Sequence, residues 1–280
     1  MVERKRTKLI RNVVTAIGIM IALFWSLAPV YWVVVTSFKI PREIYALPPT
    51  LFPHEPTLEN YREALFGSPF LRYLFNSFVV AVGVTMISVC LGALTAYPIA
   101  RMKFKGRVNA ARLIVAAYLL PPSLLFIPLF LVLQNLGLID TRLGLIVAYL
   151  TFTVPFCTWM MIGYFHTIPM ELDEAAQMDG ATRLQTLIRV VLPIATPGLA
   201  VVALFAFTHA WNEFLFALVY VYSDQAKTFT AGLSGLVMGD TFIWGQLMAS
   251  SVLAIIPILI IYLGAQRYIV EGLAAGSVKG

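Results

Sequence analysis

The chain has 280 residues, 60% hydrophobic and 12% charged, with 20 Lys and Arg against 14 Asp and Glu for a net charge of +6. A soluble domain carries about 25% charged residues, so these proportions, with a mean hydropathy of +0.84, exclude an ordinary water-soluble globule and point to lipid as the solvent. The positive excess then reads as a marker of which side of a membrane each loop faces, and nucleic acid is not expected as a partner.

A membrane span needs about 20 mostly apolar residues. Six stretches qualify, at approximately residues 13–36, 73–98, 113–135, 143–165, 197–222 and 246–266. Backbone in lipid must satisfy its own hydrogen bonds, so the predicted fold is all-α: a polytopic membrane protein with six transmembrane helices in one membrane domain over residues 1–280. The first stretch follows Arg4, Lys5, Arg6, Lys8 and Arg11. It is too long for a signal-peptide core and lacks a clear small-residue cleavage site, so it reads as an uncleaved span. A polar segment, 37–72, separates it from the second stretch. Arg101, Lys103, Lys105, Arg107 and Arg112 follow that one. Prolines 29, 98, 121, 122, 128, 155, 197 and 257 lie in or beside spans and predict bent helices. Cys90 and Cys157 fall inside apolar runs, as small buried hydrophobes; no metal-ligand or disulfide spacing is present. Of the 20 cationic residues, 14 fall at the two termini, in the segment after span two and in residues 166–193. The positive-inside rule therefore places both termini and that loop in the cytoplasm.

The loop 166–193 is built like a structured element. Pro169 can open a helix, and Glu171, Asp173 and Glu174 suit the positive end of its dipole. Gly180 stands where a left-handed residue would end it. Thr182 can cap a second helix, which Pro193 stops. Ala175 and Ala176 leave room for a close-approaching surface. The segment is either a helix lying on the membrane or a docking element for a soluble partner.

Span five contains His209 and Glu213, beside Trp211 and Asn212. Ionisable groups are costly in lipid and face a bundle interior; a spacing of four puts these two on one helix face. They line a translocation path or gate, or they are polar glue between membrane helices. No Gly-x-x-x-x-Gly-Lys-Ser/Thr occurs, so the chain has no phosphate-cradling loop of its own. Gly232-Leu233-Ser234-Gly235 resembles the serine motif of rhomboid intramembrane proteases, but Ser234 falls in an outer loop and no histidine follows it. His54 and His166 read as surface histidines. Tyr31, Trp32 and Trp244 fit interfacial belts.

Glu174-Ala175-Ala176, three residues, Gly180, nine residues, Val190, one residue and Leu192-Pro193 resemble the "EAA" loop of binding-protein-dependent ABC importer permeases, with Val190 where Ile is usual. Asp179-Gly180-Ala181, the segment Trp211–Leu218 and the tail Gln266–Gly280 resemble the carbohydrate branch, its maltose-type second permease. The resemblance implies an ABC type I importer permease fold. Glu174, Ala175, Ala176, Asp179, Gly180, Leu192 and Pro193 would couple to an ATPase, and Gly276, Ser277, Val278 and Lys279 would contact it as a tail. The implied partners are a second homologous permease, an ATPase subunit pair, an extracytoplasmic sugar-binding protein and membrane lipid. ATP and Mg would sit on the partner ATPase, with no cofactor, metal or catalytic residue on this chain. The implied location is a bacterial or archaeal cytoplasmic (inner) membrane, and the implied activity is sugar import. The alternative is an autonomous ion-coupled secondary transporter.

Overall fold

The computed structural model describes the backbone of residues 2–238 and 241–277, and the side chains of 11–237 and 243–268. In chain order the helices are α1 (Val2–Ser37), α2 (Pro41–Ile44), α3 (Glu59–Arg62), α4 (Phe70–Arg101), α5 (Arg107–Leu119), α6 (Pro122–Asn135), α7 (Arg142–Phe165), α8 (Glu171–Met178), α9 (Arg183–Thr186), α10 (Leu192–Ile194), α11 (Thr196–Trp211), α12 (Leu215–Tyr220) and α13 (Phe229–Ser234). A two-residue antiparallel pair, β1 (Val237–Met238) with β2 (Thr241–Phe242), precedes α14 (Trp244–Ser277). The fold is all-α apart from that pair. Single turns of π-helix follow α3, at Glu63–Gly67, and α9, at Leu187–Val191.

Among the described residues four helices are long and apolar enough to cross a bilayer unaided: Arg11–Ser37, Phe70–Arg101, Arg142–Phe165 and Trp244–Tyr268. The other two apolar stretches are interrupted, 113–135 where α5 and α6 meet at 92° and 197–222 between α11 and α12; just ahead of the latter, Arg183–Ile194 meets α11 at 84°. The sequence supplies the reason for the first break: Leu120, ahead of Pro121 and Pro122, is extended at ψ 124°, because a residue before proline is pushed out of the α region. Hydropathy counts apolar residues and does not see this interruption.

The chain divides into two compact units. The first comprises residues 1–70 and 235–255. Its loop after α1 is closed by its own side chains. Asn60 donates to the carbonyls of Ser37 and Lys39, at 3.0 and 2.9 Å, and Ser37 and Tyr61 share a hydrogen bond of 2.7 Å. Glu43 accepts from Thr50 at 2.8 Å and from the His54 backbone at 2.9 Å, and lies 3.0 Å from His54 Nδ1. Buried Lys39 reaches the Thr50 carbonyl and lies 4.6 Å from the centre of the Trp32 ring.

The second unit comprises residues 71–234 and 256–280. Its core joins the later halves of α4 and α7 to the segment 187–206, through Ala93, Ala96, Tyr97, Cys157, Met161, Phe165, Leu187, Val191 and Ala206. α4 and α7 pack on small residues. A Cβ added at Gly92 would stand 3.2 Å from the backbone of Cys157 and Thr158, and Ser88 and Thr153 hydrogen-bond across the seam at 2.6 Å. The threonines of α7 return their hydroxyls to the helix, Thr153 to the Tyr149 carbonyl and Thr158 to that of Val154, both at 2.8 Å; such back-bonding satisfies a polar group where water is absent.

Candidate functional site

The loop 166–193 folds as its residues dictate. α8 begins at Glu171, two residues after Pro169, so the proline stands outside the helix and Met170 is its N-cap. At the other end Gly180 has φ +85°, a conformation that costs an L-residue about 1–2 kcal/mol. Its N–H donates to the Gln177 carbonyl at 3.1 Å, and that of Ala181 to Ala176 at 3.0 Å. These are the two bonds of a Schellman cap. Thr182 then opens α9 with a reciprocal capping box: its hydroxyl accepts from the Gln185 N–H, and its own N–H donates to the Gln185 side chain. The chain thus turns from one helix to the next with its end groups paired.

α8 is almost entirely exposed. Glu174, Ala175, Asp179 and Gly180 face solvent, and Ala176 is half-buried. Met178 is 89% exposed, with Leu172, Leu184 and Ile188 also open. Leu192 is half-buried and Pro193 exposed. A structured polar loop that leaves large apolar side chains uncovered is an interaction surface.

The exception is Asp173, buried in the first turn of α8. Its Oδ2 lies 2.8 Å from Arg101 Nη2, a charge-to-charge approach outside hydrogen-bond alignment. Its Oδ1 accepts from Tyr97 Oη at 2.9 Å. Arg101 also donates to the carbonyls of Ile168 and Pro169, at 2.7 and 3.1 Å. Sequence reasoning counts Arg101 as an orientation charge and Asp173 as a dipole partner. Neither reading contains their pairing, and no local pattern announces it.

In the fifth apolar stretch the structure parts the residues that the sequence puts on one helix face. α11 ends at Trp211, and α12 starts only at Leu215. Glu213 lies in the break, and its carboxylate accepts from the N–H groups of Phe216 and Ala217 at 3.0 and 3.1 Å. It therefore caps α12 instead of facing His209 along a shared helix. Asn212 donates to the Thr208 carbonyl at 2.9 Å. Trp211 is buried, its ring 5.5 Å from that of Phe207 and 5.2 Å from that of Phe229. His209 is exposed, its ring 5.3 Å from that of Phe152.

Two cavities open here. One, of about 500 Å³, is lined by Tyr118, Pro121, Phe152, Thr153, Phe205 and His209. The other, of about 440 Å³, shares Phe152, Phe205 and His209 and adds Thr208, Asn212 and Glu213. The α5–α6 and α11–α12 breaks thus meet cavities that share a wall. Irregular backbone at membrane depth is tolerated where it is buried in protein or lines a cavity. Aromatic walls with a few polar groups are the usual make-up of a small-molecule site. Gly276 and Ser277 fall in the last turn of α14, while Val278 and Lys279 lie outside the described residues. Among the described residues no three His, Cys, Asp or Glu side chains gather as metal ligands.

Residues 88–274 match the family described as binding-protein-dependent transport system inner membrane component. The chain belongs to that family. This inner membrane component is 40% identical to the inner membrane ABC transporter permease protein YcjP of Escherichia coli (strain K12), over 94% of this chain and 95% of that protein. It is 36% identical to the trehalose/maltose transport system permease protein MalG of Thermococcus litoralis, over 98% and 99%. Its fold matches that of a chain from a bacterial ABC transporter involved in the import of the acidic polysaccharide alginate, with a TM-score of 0.80 and 24% identity over 94% of this chain and 98% of that one. The inner membrane component is accordingly an ABC-importer permease, a transport subunit and not an enzyme. Its family and relatives give no support to an autonomous ion-coupled carrier.

Proposed function

We propose that this permease carries a sugar across the membrane as one of two related membrane subunits, powered by a separate ATPase pair that holds ATP and Mg. The observation that carries the reading is α8: a short helix with Ala175 and Ala176 on its surface, ended by Gly180 at φ +85° and leaving Met178 89% exposed. A soluble ATPase subunit would cover that surface, contacting Glu174, Ala175, Ala176, Asp179 and Gly180, with Leu192-Pro193 setting the far end of the loop and Gly276 to Lys279 reaching the same partner. Both termini then lie in the cytoplasm, a placement the Lys and Arg distribution supports. An extracytoplasmic binding protein delivers the solute to the outer side.

The cavities beside His209, Asn212 and Glu213 form this chain's share of the path, with Trp211 packed behind them. Alternating access follows: ATP binding closes the ATPase pair, α8 is carried with it, the spans rock, and the path opens outward to the docked binding protein. The relative named for trehalose/maltose transport supports a carbohydrate. Neither cavity is lined by a Lys or Arg that would attract an anionic one. The test is uptake by the reconstituted complex of whichever labelled sugar its binding protein retains from a panel. Gly180→Trp should abolish uptake while leaving membrane insertion intact, because bulk and backbone strain at the cap spoil docking. Normal uptake by that variant sinks the docking assignment, and a binding protein that retains no sugar sinks the substrate assignment.

A further inference from the structure

We propose that the buried Arg101–Asp173 pair, steadied by Tyr97, is the linkage through which displacement of α8 reaches α4, which makes Arg101 and Asp173 positioning residues for coupled transport. The inference rests on the reading of α8 as the ATPase-docking helix. Asp173 is the one buried residue of α8. The Asp173 side chain is 2% exposed and that of Arg101 4%. The helix also packs against α9 and the π turn at 187–191, but this residue is where it sends a charged side chain into the bundle. Arg101 grips two further points, the carbonyls of Ile168 and Pro169 at 2.7 and 3.1 Å, so one guanidinium on α4 holds both the approach to α8 and its first turn. Tyr97, one turn earlier on α4, donates to the other carboxylate oxygen at 2.9 Å.

The quality of the pairing separates a linkage from a mere stabiliser. Among the described residues Asp173 Oδ2 and Arg101 Nε have no hydrogen-bond partner, so the pair is incompletely satisfied. Well-packed apolar residues often stabilise a fold as well as a buried ion pair does, and stability alone gives no reason for this one. What charge supplies is attraction that falls off slowly with distance and needs little alignment. A helix held that way can tilt as its partner moves without letting go, whereas a single aligned hydrogen bond weakens steeply once its angle closes. Removing either charge leaves the other buried and uncompensated, which makes detachment unfavourable in every state of the cycle.

The test uses the full complex in nanodiscs with its ATPase and binding protein. Two quantities are read: disulfide cross-linking from Ala175→Cys to the ATPase subunit, and the ratio of ATP hydrolysis with binding protein to that without it. The ratio is insensitive to how much complex assembles, so a purely structural defect would not move it. Asp173→Asn and Arg101→Gln should lower it roughly 2- to 30-fold, the span of coupling-network mutations, while the cross-link persists. Arg101→Lys, which keeps the charge, should restore part of the ratio relative to Arg101→Gln. Tyr97→Phe, which deletes one hydrogen bond and no charge, should lower it about twofold and decides the matter if the charge variants fail to assemble. Assembled, cross-linked variants with an unchanged ratio overturn the linkage. Absence of the cross-link in the parent complex overturns the docking reading instead.

Discussion

The loop after α1 and the loop carrying α8 each hold buried charge, and they use it in different ways. In the loop after α1 Glu43 bonds to Thr50 and His54, 7 and 11 positions away, and Lys39 closes on Thr50. That network staples a segment to itself. In the α8 loop Asp173 is held by Tyr97, 76 positions earlier, and by Arg101. That network staples a segment to a membrane-crossing helix. Local closure gives a loop its own shape, and distant closure makes a loop move with something else. The Glu43 pairing also tolerates water, with the His54 side chain 75% exposed, whereas the Asp173 pairing is sealed.

The contrast can be broken by experiment, and the largest effect belongs to the sealed pair. Asp173→Ala leaves Arg101 buried without its counter-charge and should cost about 3–5 kcal/mol, seen as a lowered unfolding temperature of the purified complex; a loss under about 1 kcal/mol would mean that water reaches the site and that the two loops are alike. Next comes Thr182→Ala, which removes the hydroxyl of the capping box and should cost about 1 kcal/mol. It should speed amide exchange across residues 182–186 and leave α4 untouched. The smallest effect lies in the loop after α1. Burial pushes the Glu43 carboxyl up, but hydrogen bonds from the His54 backbone, Thr50 and the His54 ring outweigh it and hold the group below its usual value of 4.5. A depressed carboxylate stabilises the fold above its unfolded value and loses that contribution as pH falls through the folded one. Amide protection over residues 43–54 should therefore be flat above about pH 5 and decline below 4.5, and Glu43→Gln should remove the decline. An unchanged acid response in Glu43→Gln would assign the titration elsewhere.

Much of this could be read in the chain itself. Gly180 and Thr182 are local signals, and the backbone obeys them because a left-handed residue and a capping hydroxyl act within one turn. Pro121 and Pro122 mark a bend, though hydropathy, which counts side chains and not backbone continuity, makes one span of two helices at 92°. The fifth stretch hid its interruption for a related reason. Glu213 reads as a charge four residues beyond His209 only if the helix continues, and it is the carboxylate, by taking up the Phe216 and Ala217 N–H groups, that lets the helix restart. The Arg101–Asp173 pair was illegible because each partner has a sufficient local explanation, and only tertiary proximity joins them.

The seam at Gly92 has a mechanical corollary. With no room for more than a glycine against the facing backbone, which an added Cβ would meet at 3.2 Å, and Ser88 bolted to Thr153, α4 and α7 have little clearance to slide past each other. They must swing as a single lever. Flexing during the cycle then falls to the breaks already present in this unit, at Leu120, at Ala195 and between α11 and α12.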